Sequence, residues 1–397
     1  MPERDLSPSE ARIIDDGVRA IFAITTVAGA VDAERLQRAF GLLLSEQPRL
    51  AATIVHDGQG YVLRDGPARA PGEYVVQSTL DTSIHTPLER ARALTQLSIS
   101  PDGERTEVAL AIDHAIGDGR YLVAMNERLW TIYTGGDAAA SKPAGAPALP
   151  MEVRLQDRFD PAEVAELIAR LAEARPPSVL PTRPDPGPDT TRTAIAQLDV
   201  AATDAFFAVA RAHAVSIHTL VCGALMTVLR TRFDPSTAPH TITCDSPVDL
   251  RARLHPPLPA DVAGLCVGFA TVSVSTRGDE DAVELARAIQ PQMDAARASS
   301  FPEKFLLASA KLPGDIHSRT TMLVSNLGPL PAPPMPDDLE LVDIQLLVTG
   351  TAPPPFFVVT TLRGRLRIAL VYTEAHHEPE RMRALMADIG RALRAVR

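Results

Sequence analysis

Apolar residues recur along this chain with two periods, one of 3.6 residues and one of two, and the alternation between them sketches a succession of strands and helices. An apolar, β-branched run over 20–28 reads as a strand, and Asp32 then stands as the N-cap of a helix. That helix places Leu36, Phe40, Leu43 and Leu44 on one stripe. Short strands are expected at 50–55 and 73–77, followed by a helix over 88–97. The run 107–113, EVALAID, has Val108, Leu110 and Ile112 on one face and Ala109 and Ala111 on the other. With both faces apolar it predicts a central, doubly covered strand. A short Gly-containing loop and a helix over 120–133 follow it.

The second half repeats the style. Helices are expected at 202–212 and 217–231, and strands at 241–246, 267–275, 320–325, 341–348, 356–361 and 366–372. A closing helix puts Met382, Leu385, Met386, Ile389 and Leu393 on one face. Between the halves, 135–150 and 175–189 are rich in proline, which fixes φ and lacks a donor, so both read as linker around a short amphipathic helix at 161–174. The expectation is an α/β (α+β) protein of two lobes, 1–175 and 191–397, with a crossover linker over 135–190.

Composition narrows the function. Of 397 residues, Lys+Arg 39 against Asp+Glu 49 gives a net charge of −10, which argues against nucleic acid as the main partner. The longest apolar stretch, 220–229, is far short of the ~20 residues that span a bilayer. The N-terminus carries acids and prolines where a signal peptide needs an apolar core, so a cytoplasmic protein is expected. Cys222, Cys244 and Cys266 form no CxxC pair and fall on apolar segments, where they read as buried thiols.

The strongest chemical signal is His114-Ala-Ile-Gly-Asp118-Gly119, directly after the central strand. An imidazole at a strand end is held by the sheet and can face a cleft, and its ordinary pKa of about 6.5 suits a general base. Asp118 either touches that imidazole or bends back to pin the loop, while Gly117 and Gly119 permit a tight turn. The bland alternative makes Asp118 the N-cap of the next helix, with His114 merely packed.

Two further segments bear on this choice: SPVDLRARL at 246–254 and SNLGPL at 325–330. With HAIGDG and the opening LQRAFGLLLSEQPRLAATIV at 36–55, they resemble the condensation-domain and chloramphenicol-acetyltransferase-like superfamily, and most of all its free-standing polyketide-associated acyltransferases. The resemblance implies two chloramphenicol-acetyltransferase-like lobes in a V with a central tunnel. It implies His114 as catalytic base and Asp118, beside Gly119, as a structural partner of an arginine, with Arg251 the first choice for that role and Arg253 the second. Ser325 and Asn326 become candidate substrate-binding donors. Relatives often read HHxxxDG, whereas here Asp113 precedes His114, where its carboxylate can raise the imidazole pKa if it faces the cleft. The plant DFGWG motif is absent.

The implied reaction is acyl transfer from a coenzyme A or carrier-protein thioester to a hydroxyl or amine, without a covalent intermediate. The thioester is a co-substrate, and no bound cofactor or metal is expected. An acyl carrier protein or polyketide synthase is the implied partner, and a monomer the expected assembly. Two other readings remain: a non-catalytic recruitment module of a synthetase, and intramolecular cyclisation on the same fold. His376 and His377 read as a solvated helix entrance rather than a metal site, and His213 and His218 as surface or packed histidines. Arg381, Arg383, Arg391, Arg394 and Arg397 make the last helix basic, either a solvated face or a dock for an acidic carrier or phosphate.

Overall fold

The computed structural model describes residues 3–67, 69–135, 149–173, 177–234, 238–309, 311–312, 320–350 and 354–396. Most of the first expected linker, 136–148, lies outside the described residues, as do 175–176 of the second. The chain forms two compact units. Unit 1 is Met1–Gln156 with Arg251–Cys266 and Pro331–Gly350, and unit 2 is Asp157–Leu250 with Val267–Leu330 and Thr351–Arg397. A cut near the middle of the chain gives both of those later segments to the second lobe; their contacts put them in the first.

Unit 1 contains β1 (Arg4–Asp5), α1 (Pro8–Asp15), β2 (Ala20–Ala28), α2 (Ala33–Glu46), β3 (Thr53–His56) and β4 (Tyr61–Arg64). It continues with β5 (Val75–Gln77), α3 (Leu80–His85), β6 (Thr95–Asp102), β7 (Arg105–Asp113), α4 (Gly119–Tyr133) and α5 (Met151–Leu155). Its main sheet has the order β12-β2-β7-β6-β5, where β12 (Glu340–Val348) comes from far along the chain and pairs antiparallel with β2. A second, three-stranded sheet has the order β1-β4-β3.

The doubly apolar run becomes β7, flanked by β2 and β6 and buried at every position from Val108 to Asp113. Asp32 caps α2 by accepting from Arg35 N–H at 3.0 Å, and the expected stripe of Leu36, Phe40, Leu43 and Leu44 is buried.

The expected helix at 88–97 does not form. Leu94 and Leu97 are fully buried, and β6 pairs with β7 from Thr95↔Ile112 onward. Sheet pairing on both sides outweighs the helix-forming ERARAL stretch, since local propensity is worth only tenths of a kcal/mol per residue. The helix there is α3, earlier, capped by Thr79 accepting from Thr82 N–H.

Unit 2 contains α6 (Pro161–Glu173), β8 (Thr191–Gln197), α7 (Val200–Ala212), α8 (Ile217–Leu229), β9 (His240–Asp249), β10 (Val267–Thr276) and α9 (Ala282–Ala298). It closes with α10 (Phe301–Ser309), β11 (Met322–Pro329), β13 (Phe356–Leu362), β14 (Arg365–Thr373) and α11 (Pro379–Ala395). The sheet order is β10-β9-β11-β13-β14-β8, with β11 parallel to both of its neighbours. One core joins Phe206, Leu225, Ile289 and Leu393 of the helices to Ile242, Val324, Phe357 and Ile368 of the strands.

Sequence patterning left β8, α9 and α10 without an element. The stripe of α9 (Val283, Ala286, Ile289, Met293) is buried, with Pro291 interrupting its pattern. Strands β9 and β11 also run further than expected, through Pro247 and through Gly328. Pro247 is tolerated because β9 pairs with β11 only at Cys244 and Asp245, so a missing N–H there breaks no ladder on that side.

Candidate active site

His114 leaves the end of β7 with its backbone tied on both sides. Its N–H donates to Arg19 O at 3.1 Å, and the N–H of Asp113 donates to Leu94 O at 2.8 Å. The half-buried imidazole has Nδ1 3.0 Å from Gly117 O. A carbonyl can only accept, so Nδ1 carries a proton, and in the neutral ring the lone pair is on Nε2.

Asp118 does two jobs with two oxygens. Oδ1 accepts from the Arg120 and Tyr121 N–H groups, both at 3.1 Å, and so caps α4. Oδ2 accepts from Arg251 Nη1 at 2.8 Å and from Cys266 N–H at 3.0 Å. The carboxylate therefore bends back, away from the imidazole role, and the cap and the ion pair coexist in one side chain. Both partners are essentially sealed from water, at 1–2% side-chain exposure. Such a pair is stabilising only while complete, because removing one member strands the other charge.

Arg251 further donates from Nη2 to Val262 O at 3.0 Å and to Gly264 O at 3.5 Å. It thereby folds segment 251–266 around the histidine loop. Gly264 lies at φ +140°, a conformation that favours glycine, and forms a bridge with Gly117. Of the two arginines, Arg251 is the one that pairs with Asp118; Arg253 is half-buried.

Gly117 and Gly119 are not at positive φ. What position 117 requires is space: a Cβ there would come within 2.5 Å of the Tyr121 ring. Gly119 opens α4 as its first residue.

Asp113 is held by partners of its own. Its side chain is 2% exposed, with Oδ2 accepting from Arg90 Nε at 2.7 Å and Oδ1 from Ala115 N–H at 3.0 Å. Burial pushes its carboxyl above the usual aspartate range, and Arg90 and the Ala115 N–H pull it back.

Ser325 and Asn326 stand on β11 of unit 2, both half-buried. Asn326 Oδ1 accepts from Gly328 N–H at 2.9 Å, beside a register shift in the pairing with β13.

Other sequence candidates resolve as packing. His218 and Ser246 share a 2.8 Å hydrogen bond inside unit 2, and Arg287 reaches His213 Nδ1 at 2.8 Å. The three cysteines are buried thiols that form no disulfide. His377 is buried, not solvated, and burial, with His376 and Arg381 nearby, lowers its pKa to about 4.

On α11, Arg381 bonds Pro181 O and Arg394 bonds Gln197 O, while Arg391 pairs with Asp388; Arg397 lies outside the described residues. Among the described residues no cluster of three metal-ligating side chains occurs. No single described helix is long and apolar enough to cross a membrane.

Sequence reasoning missed Arg90, and it missed Arg49, a buried arginine that donates from Nη1 to Ala263 O at 3.0 Å and so helps hold segment 251–266. No motif marks Arg90, and Arg49 sits in the 36–55 segment without being singled out there. Their partners lie 23 and 214 positions away along the chain.

The fold is shared with polyketide synthase associated protein 5 and with condensation domains, and the curated relatives are named as transferases. Residues 187–371 match the family described as phthiocerol/phthiodiolone dimycocerosyl transferase C-terminus. A phthiocerol/phthiodiolone dimycocerosyl transferase of Mycobacterium sp. (strain JLS) is 28% identical over 369 residues, 86% of this chain and 85% of that protein. The structure of polyketide synthase associated protein 5 from Mycobacterium tuberculosis has a TM-score of 0.76 at 23% identity, covering 98% of this chain and 99% of that one. The trichothecene 15-O-acetyltransferase of Fusarium sporotrichioides shares the fold with a TM-score of 0.76 at 14% identity, covering 100% of this chain and 95% of that one.

Proposed function

We propose that the protein moves an acyl group from a thioester, carried by coenzyme A or a phosphopantetheinyl carrier protein, to an acceptor hydroxyl or amine. His114 is the general base. Its Nε2 takes the proton of the acceptor as the acceptor oxygen or nitrogen attacks the thioester carbonyl carbon. The tetrahedral intermediate collapses with loss of the C–S bond, and the imidazolium returns the proton to the departing thiolate. No acyl-enzyme forms, because the thioester is already activated.

The observation that carries this reading is the Nδ1···Gly117 O contact of 3.0 Å, which selects the tautomer whose Nε2 can accept a proton. Base catalysis of this kind contributes about 10²–10⁴-fold, and positioning and oxyanion stabilisation supply the rest. Ser325 and Asn326 are proposed as donors to the substrate. The mycobacterial relatives, named as dimycocerosyl transferases for phthiocerol or phthiodiolone, favour a lipid acyl group and a hydroxyl acceptor.

The test is to incubate the protein with a panel of acyl thioesters and hydroxyl or amine acceptors, following thiol release and the acylated product by mass spectrometry. Product formed by the wild type and lost in His114→Ala supports the reading. A recruitment module gives no product with any pair, and a cyclising enzyme gives a product one water lighter than the hydroxy acid of its substrate, with no second molecule joined.

A further inference from the structure

Arg90 is a half-buried arginine in the turn before β6, on no recognised motif, and its guanidinium joins two places at once. Nε donates to Asp113 Oδ2 at 2.7 Å, and Nη2 donates to Val18 O at 2.9 Å. Those two contacts fall next to the two backbone groups that hold the candidate base. Val18 precedes Arg19, whose carbonyl receives the His114 N–H at 3.1 Å, and Asp113 precedes His114 itself. Asp113 carries the hold onward, its Oδ1 accepting from Ala115 N–H at 3.0 Å and its carbonyl from Ile116 N–H at 3.1 Å. Arg90 is itself fixed, because its carbonyl accepts from Ile54 N–H at 2.8 Å.

We propose that Arg90, acting through Asp113, is a positioning residue for His114: it sets the entry of the histidine loop as the Asp118–Arg251 pair sets its exit. This rests on the reading of His114 as the base. A planar guanidinium suits the task because its rigid fork offers donors in two fixed directions, one for the carboxylate and one for the carbonyl. A lysine has one ammonium on a flexible stem and cannot hold both directions rigidly. With the exit clamp intact, loss of the entry clamp leaves the loop folded but lets the turn at 113–116 rotate. The Nε2 lone pair then misses the acceptor proton, and misplacement on the ångström scale can cost about 10²-fold in rate.

The experiment measures kcat and KM for the acyl thioester separately in wild type, Arg90→Gln, Arg90→Lys and His114→Ala, with melting temperature and circular dichroism on each. Folded Arg90→Gln is expected to lose kcat by roughly 10- to 100-fold with KM for the thioester within about twofold. Arg90→Lys is expected to recover part of that loss. If Arg90→Gln does not fold, Arg90→Lys carries the test alone, with a drop in kcat at unchanged KM expected. Unchanged kcat in a folded Arg90 variant, or a loss expressed in KM, overturns the proposal while leaving the base intact, provided His114→Ala is inactive. Full turnover by His114→Ala removes the base reading, and the positioning role falls with it.

Discussion

Asp118 and Arg251, 133 positions apart, meet as a 2.8 Å ion pair that is sealed from solvent on both sides. The same carboxylate caps α4 and accepts from Cys266 N–H, so one side chain ties the histidine loop, the following helix and a segment from much later in the chain.

Breaking this pair is expected to damage folding before chemistry. Arg251→Ala leaves the Asp118 carboxylate buried without its charge partner, at a cost of about 3–5 kcal/mol. Asp118→Ala removes in addition a helix cap worth about 1 kcal/mol. Urea unfolding of both variants checks the expectation. A midpoint equal to wild type in either one contradicts the structural role.

Gly117→Ala is expected to spare most of the stability and lose most of the activity. Its Cβ would lie 2.5 Å from Tyr121 Cδ1, so the loop must move, and with it the Gly117 carbonyl that fixes the His114 tautomer. Parallel melts and turnover assays decide it; activity falling only in proportion to the folded fraction is the contrary result.

Asn326→Asp separates two uses of one side chain. The aspartate keeps an acceptor for the Gly328 N–H but has no counterpart of Nδ2. A drop in kcat without loss of stability is expected if Nδ2 serves the substrate. Unchanged kinetics assign Asn326 to the strand turn alone.

His377 predicts a specific pH dependence of stability. Its pKa is lowered from 6.5 to about 4 in the folded protein, so below pH 6.5 the unfolded chain binds a proton that the folded one refuses. Stability is therefore lost as pH falls from about 6.5 towards 4, by about 3 kcal/mol at 1.4 kcal/mol per unit. Urea melts across that window for wild type and His377→Gln test it. Identical pH slopes in the two proteins contradict the assignment.

Much of the fold was legible where burial and periodicity agree. β2, β7, α2 and α4 appear close to where the apolar pattern puts them, because their buried faces repeat with clean periods. Residues 88–97 misled because a helix-prone run ends in Leu94 and Leu97, which the sheet claims. At the site, HAIGDG singles out His114 and Asp118 as candidates, and the resemblance of SPVDLRARL points to Arg251, with Arg253 left open. Arg90 and Arg49 were invisible, since each earns its place through a backbone carbonyl or a carboxylate that only the folded chain brings near. The partner of Asp113 was hidden for the same reason, as its counter-charge lies 23 positions upstream.

The most direct measurement is single-turnover acyl transfer from a thioester by wild type and His114→Ala, each verified as folded by circular dichroism and melting temperature. The account predicts an unchanged fold and a rate lower by about 10²–10⁴-fold in the variant. A folded His114→Ala protein that transfers acyl groups near the wild-type rate would contradict it.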